Sequence, residues 1–361
     1  MPTYAPGPLR ERVGDLAQVA SVRPVRLSDG PEDGTRALDV RVAGGLHVLV
    51  LTDRGMDLGP AWYLGQPLAW TSPTGAAHPS FTQDHTWLRA FHGGLLVTAG
   101  LQNVGPDCVD QGERHGLHGR ASSTPARSVR WDVLTDGPAP VVEVSGVVRE
   151  TSVFGADLQL TRTLRFAVGE PTVEIHDVVE NRGFDDAALM LLYHFNLGWP
   201  VVDEGARLIA PPHRAVARGD LARPGVGDHD QMGPPRAGAV PEVFEHVLTG
   251  PPEAAVVGFV NEGFAPTGGL GLTVTYRPAQ LPRLWHWRMQ GKGLYLNGIE
   301  PATCDVLGRD VARAAGELDV LAPAQRRHFD LTVTAHAGIS APRGSSLAAL
   351  AATPTTTLED H

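Results

Sequence analysis

A chain of 361 residues with a formal net charge of −10, 30 basic against 40 acidic side chains and Lys292 as its one lysine has no basic run with which to grip nucleic acid or an anionic membrane. Hydrophobic residues at 42% and charged residues at 19% describe an ordinary globular protein, and no apolar run approaches the ~18 residues of a membrane helix. Cys108 and Cys304 are the only cysteines, too few for a disulfide framework or a thiolate zinc site. With no secretory signal at the start, the expected home is the reducing cytoplasm.

In chain order, Leu9, Val13, Leu16 and Val19 recur at helical spacing and predict a short amphipathic helix over 8–20. The period then becomes two. Leu38, Val40 and Val42 alternate with polar residues, and Gly44-Gly45 punctuates a hairpin. Further strands are read at SVRWDVL, VVEVSGVVRE, DLQLTRTLRF, TVEIHDVVE, ALMLLYHFNL, GLGLTVTY, RLWHWRM and HFDLTVTAH. In the last, Phe329, Leu331, Val333 and Ala335 face one way and Asp330, Thr332, Thr334 and His336 the other. The 42 glycines and 30 prolines suit many strands joined by turns. These features predict an all-β protein, a large antiparallel β-sandwich with a few short helices, forming one domain over 1–361. The Pro/Gly stretch 211–242 lacks periodicity and is expected as a loop over a cleft, with a disordered excursion as the alternative. The low-complexity tail 340–361 is expected to be peripheral.

Polar residues concentrate at a few glycine-rich places. Gln111 to Arg120 (QGERHGLHGR) holds His115 and His118, whose imidazoles offer acid, base or ligand chemistry; a solvated surface turn explains the same residues. His194 stands at the mouth of the apolar strand ALMLL, placed for a general acid or for an imidazole satisfied inside the core. Glu300 precedes Pro301, which is expected to end ladder pairing and leave the carboxylate at a strand end, in place for a general base; an exposed loop carboxylate is the alternative. Phe91-His92-Gly93-Gly94 and Thr52 to Asp57 are two more such groups; Arg54 beside two carboxylates suits bidentate hydroxyl binding and equally a structural ion pair. Of the tryptophans, one or two are expected to stack on a ligand and the rest to fill core. Motifs of serine hydrolases, P-loop NTPases and zincins do not occur.

Taken in order, FHGGLLVTAGLQNVG, RHGLHGRAS, LYHFNLGWP and NGIEPAT, with DRGMDLGPAWYLGQPLAW before them, resemble the aldose 1-epimerase (galactose mutarotase-like) superfamily, over roughly residues 10–335. The resemblance implies a supersandwich fold and the interconversion of α and β anomers of an aldose, with no cofactor and no metal. It implies Glu300 as the base that takes the O1 proton, His194 as the acid toward the ring oxygen, and His118 as a second histidine. Substrate binding is expected from His92, Arg54, Asp57, Asn103, His115, Arg120 and Trp285. His92 stands where the hexose-phosphate branch has arginine, which disfavours a sugar phosphate. The expected partner is a small sugar, with no nucleic acid or membrane, and a homodimer is left open. Two other readings stand beside this one: a metal-dependent sugar isomerase or lyase using His92, His115, His118, His194 and Glu300, and a non-catalytic sugar-binding module on the same scaffold.

Overall fold

The computed structural model describes residues 4–81, 87–250 and 252–339. Two antiparallel sheets, of 11 and 8 strands, face each other, with the main hydrophobic core between them. The smaller sheet runs through Val141–Thr151, Asp157–Ala167, Thr172–Asn181 and Arg326–Ala337, whose residues alternate between buried and half-exposed almost without a break. Inward go Val142, Val144, Leu158, Leu160, Val173, Ile175, Phe329 and Leu331, as the period-two pattern predicts. Each such burial stabilises the fold by roughly 1.5–3 kcal/mol relative to an exposed side chain.

The larger sheet differs because its middle is covered on both faces. Met190–Leu197 is buried at every position and sits between Leu96–Leu101 and Leu294–Ala302. Leu191, Tyr193, Phe195 and Leu197 join the core between the sheets. Met190 and Leu192 point the other way and pack with Ala99, Trp285, Ala302 and Ala312, the last on the helix Arg309–Ala314. His194 continues that outer row, beyond the end of the apolar patch.

Three expectations change. Instead of one helix over 8–20 there is an α-helix at Pro6–Arg10 and a separate 3-10 turn at Leu16–Gln18, and Ala20 already begins a strand. Asp15 is extended and its carboxylate accepts the Ala17 N–H at 2.8 Å, so it starts a new turn where the helix would have continued. The stretch 211–242 is ordered: His213–Ala217 is an edge strand paired with Glu242–Leu248, followed by a 3-10 segment at Asp220–Asp228. Buried Arg288 ties it down, donating to the carbonyls of Asp228 (2.5 Å) and Gln231 (3.0 Å) and to the Glu242 carboxylate (3.0 Å). Alternation along Arg283–Gly291 puts Arg288 on the face opposite Trp287, so this segment packs on the sandwich side and does not close over the outer face. Finally, Glu300 and Pro301 lie inside the strand Leu294–Ala302, not at its end. The tail 340–361 lies outside the described residues. No helix among the described residues is long and apolar enough to cross a membrane.

Candidate functional site

The register of two central strands creates the site. Leu192 pairs with Ala302 and Phe195 with Ile299, which sets His194 directly opposite Glu300 and Tyr193 opposite Pro301. Proline has no N–H to give, so the ladder lapses at this point while the strands stay side by side. His194 Nε2 and Glu300 Oε1 come within 3.2 Å, both side chains almost wholly enclosed. Neither Glu300 Oε1 nor His194 Nδ1 has a hydrogen-bond partner, an unusual state for buried polar atoms and one a ligand hydroxyl would relieve. Burial alone pushes the Glu300 carboxyl up to about 8. Burial, and then the nearby His118, push the His194 imidazole down to about 3. Over the interval between, the two groups together hold one proton.

Aromatic rings frame the pair. Phe91 lies 5.4 Å from the His194 ring and 6.2 Å from Trp287, and Trp287 meets His194 edge-on at 5.6 Å. Trp87 stacks on Phe91 at 4.7 Å and meets His118 at 4.8 Å, so a continuous run of rings links His118 to His194. His118 occupies a left-handed position (φ 54°) and its Nδ1 receives the Gly105 N–H at 3.3 Å. Loss of solvation holds its imidazole down at about 4. Gly93 shows why glycine follows His92: its φ is +66°, and a Cβ there would sit 2.4 Å from the Trp70 carbonyl oxygen. His92 itself is buried with its Nε2 3.6 Å from Asp57 Oδ2, and neither ring nitrogen has a hydrogen-bond partner.

The structure thus gathers Glu300, His194 and His118, and separates them from several residues expected to bind substrate. Arg54 spends its guanidinium on three main-chain carbonyls, those of Ser122 (2.6 Å), Ala77 (2.8 Å) and Ala90 (2.8 Å), and is structural. Asp57 is wholly buried and accepts from the Thr98 N–H (3.0 Å) and hydroxyl (2.7 Å). Asn103 donates to the Pro106 and Gly116 carbonyls and accepts the Arg309 N–H, which pins loops together. Trp285 is 0% exposed with its indole N–H on the Cys304 carbonyl; the neighbouring indole at the site is Trp287, two residues on along the same face. His115 and Arg120 line a separate cavity of ≈ 40 Å³ with Gln102 and Glu150, which neither His194 nor Glu300 reaches. Nor do His92, His115, His118, His194 and Glu300 gather their ligand atoms at one point; the group among the described residues that does so lies elsewhere. Cys108 and Cys304 are both free thiols.

A large antiparallel sandwich of two such sheets is the galactose mutarotase-like fold, and solved structures agree. A putative aldose 1-epimerase from Klebsiella pneumoniae subsp. pneumoniae MGH 78578 superposes with a TM-score of 0.82 at 26% identity, over 92% of this chain and 86% of that one. A galactose mutarotase-like protein from Clostridium acetobutylicum (TM-score 0.58, 12% identity, 89% and 99% covered) shares the fold. So does a galactose 1-epimerase from Lactobacillus acidophilus NCFM (TM-score 0.55, 14% identity, 88% and 99% covered). More closely, residues 32–335 match the family described as Domain of unknown function (DUF4432), and the chain belongs to it. No curated protein matches.

Proposed function

We propose that this protein is an aldose 1-epimerase in which Glu300 and His194 exchange protons with the two oxygens on C1 of a pyranose. The observation that carries the reading is the 3.2 Å approach of the Glu300 carboxyl and the His194 imidazole in an aromatic-walled, enclosed site. Between about pH 3 and 8 burial keeps the proton on Glu300 and the imidazole neutral, and the productive form arises when that proton passes to His194, leaving the carboxylate ionised and the imidazole protonated. Glu300 takes the O1 proton as His194 delivers its proton to the ring oxygen; the C1–O5 bond breaks and the C1–O1 bond becomes a carbonyl. Rotation about C1–C2 and the reverse transfers close the ring as the other anomer, returning both protons, so no co-reactant is consumed. His118 supports the reading as a second hydrogen-bonding imidazole on the same wall, and Trp287 and Phe91 offer faces for the sugar's C–H groups. The test is anomer exchange measured by NMR across neutral, phosphorylated and acidic aldoses. Failure to accelerate exchange of any of them would sink the proposal.

Two further outcomes follow from the geometry. Activity requires the singly protonated pair, so the exchange rate should be level from about pH 5 to 7 and fall as pH rises through about 8, where Glu300 loses the shared proton. A rate that kept rising through pH 9 would contradict this arrangement. Gly298→Ala places a methyl 2.6 Å from Glu300 Oε1 and 3.0 Å from His194 Cε1. The carboxylate must give way in an enclosed site, so the fold should lose about 1–3 kcal/mol. The pair cannot keep its geometry, and exchange should slow by about 10²-fold, the usual consequence of a displacement near 1 Å. A variant as active as the wild type would mean that the 3.2 Å approach is irrelevant to turnover.

A further inference from the structure

On the opposite face of the same sheet, away from the Glu–His pair, three histidines converge: His213, His229 and His246, with one ring nitrogen from each lying within 4.8 Å of the others. His213 belongs to the edge strand His213–Ala217 and His246 to its neighbour Glu242–Leu248, while His229 closes the 3-10 segment Asp220–Asp228. The spacing in sequence matches no motif; strand pairing and the return of the 3-10 segment bring the rings together.

Hydrogen bonds around the cluster decide where the protons are. His213 Nδ1 lies 2.8 Å from the Pro211 carbonyl and His229 Nδ1 2.8 Å from the Val226 carbonyl. A carbonyl only accepts, so each Nδ1 carries the hydrogen and each Nε2 carries a lone pair. Yet those two Nε2 atoms face each other at 3.0 Å. Two lone pairs at that distance repel unless a cation lies between them. His246 is oriented by a relay: His286 Nε2 donates to Asn297 Oδ1 (2.9 Å), which leaves His286 Nδ1 to accept from His246 Nε2 (3.3 Å). His246 Nδ1 is then the free lone pair; it is buried, on a residue only 2% exposed, and has no partner. Histidines whose remote nitrogens are bonded to carbonyls or to another ring are held as metal ligands are held.

We propose that His213, His229 and His246 form a binding site for a divalent transition metal of the zinc type. Three neutral imidazoles suit Zn²⁺ and its borderline neighbours and disfavour Mg²⁺ or Ca²⁺, which require oxygen. At Zn–N distances of ~2.0–2.1 Å, tetrahedral ligand atoms stand about 3.3 Å apart. The 3.0 Å pair is slightly tighter than that spacing, and the His246 ring, stacked on His213 at 4.3 Å, must rotate out of the stack for its Nδ1 to complete the set. His213 and His229 are half-buried, so the fourth position opens toward solvent. Bound there, the ion staples the 3-10 segment to the sheet edge, supplementing the Arg288 bonds on the same segment. It lies on the face opposite the proposed chemistry and takes no part in it.

The test uses the untagged full-length chain, stripped with EDTA, dialysed and titrated with ZnCl₂. One Zn²⁺ per chain should bind with submicromolar affinity, and added Zn²⁺ should raise the melting temperature. Co²⁺ in its place should show the strong visible absorption of a four-coordinate nitrogen site. His213→Ala with His229→Ala should weaken Zn²⁺ binding at least 100-fold while anomer exchange is unchanged. His229→Asn alone, in a surface segment, gives the same readout should the double variant fail to fold. Glu300→Gln should retain the ion. Absence of stoichiometric Zn²⁺ binding would overturn the proposal and leave a shared proton as the explanation of the 3.0 Å approach. Binding that survives in His229→Asn at wild-type strength would also overturn it.

Discussion

Glu300→Gln should lower the anomer-exchange rate by about 10²–10⁴-fold and at the same time make the protein more stable above neutral pH. The first effect is loss of the base. The second comes from the burial that pushes Glu300 up to about 8 from an ordinary value of 4.5. Because the folded-state value is raised, the folded chain holds a proton that the unfolded chain releases. This contribution to stability is therefore whole below about pH 4.5, declines as pH rises, and is lost once pH passes about 8. Glutamine has the same shape and nothing to ionise, so its stability curve lacks that decline. The gap between variant and wild type should widen from pH 5 to pH 9 by on the order of 3–5 kcal/mol, as 1.36 kcal/mol per unit dictates. Urea denaturation at a series of pH values checks it. Parallel curves would show that Glu300 ionises freely in the fold, and with that the shared-proton description of the pair would fail. A residue whose removal stabilises the fold and abolishes turnover is retained for chemistry.

Much of the architecture was legible because sheet burial imposes a period of two. The segments around Val142, Leu160, Ile175 and Leu331 carry it in plain alternation, and the structure places those side chains between the sheets. The central strand Met190–Leu197 was legible as apolar but not as two-sided: residues covered on both faces lose the alternation that tells which side is which. Glu300 and His194 could be named singly, from a proline and from the end of an apolar run. Their opposition could not, since it depends on the register of two strands distant in the chain. Arg54 was misread for a related reason. Its partners are main-chain carbonyls, which every residue possesses and no sequence advertises. The same holds for His213 and His229, whose proton positions are set by the Pro211 and Val226 carbonyls. The helix expected over 8–20 failed because Gly14 and Asp15 favour a break and a fresh cap over a continued turn.

Where alternation is violated, the violation shows what lies beneath the site. Arg162 and Asp177 occupy inward positions of the smaller sheet, directly paired across Asp157–Ala167 and Thr172–Asn181. The Arg162 guanidinium is 0% exposed and donates to both Asp177 oxygens, with Nη2 to Oδ2 at 2.7 Å. It also lies 3.6 Å from Asp57 Oδ1, and the Tyr193 hydroxyl donates to Asp177 at 2.8 Å. Burial works against the charged guanidinium, but the attraction of Asp177 prevails and keeps it protonated. Arg162→Met preserves volume and removes the cation, which leaves two buried carboxylates without it. The fold should lose about 3–5 kcal/mol, the cost of breaking such a cluster by deleting one member. Chemical denaturation at pH 7 measures it, and a loss below about 1 kcal/mol would mean that water reaches the cluster. Stability is not its whole role. Tyr193 adjoins His194, and Asp57 adjoins His92, so the charges between the sheets grip the reverse sides of the chain segments that carry the site. A conservative Tyr193→Phe frees that strand from Asp177 without removing a charge, and should therefore slow anomer exchange by more than its smaller loss of stability explains.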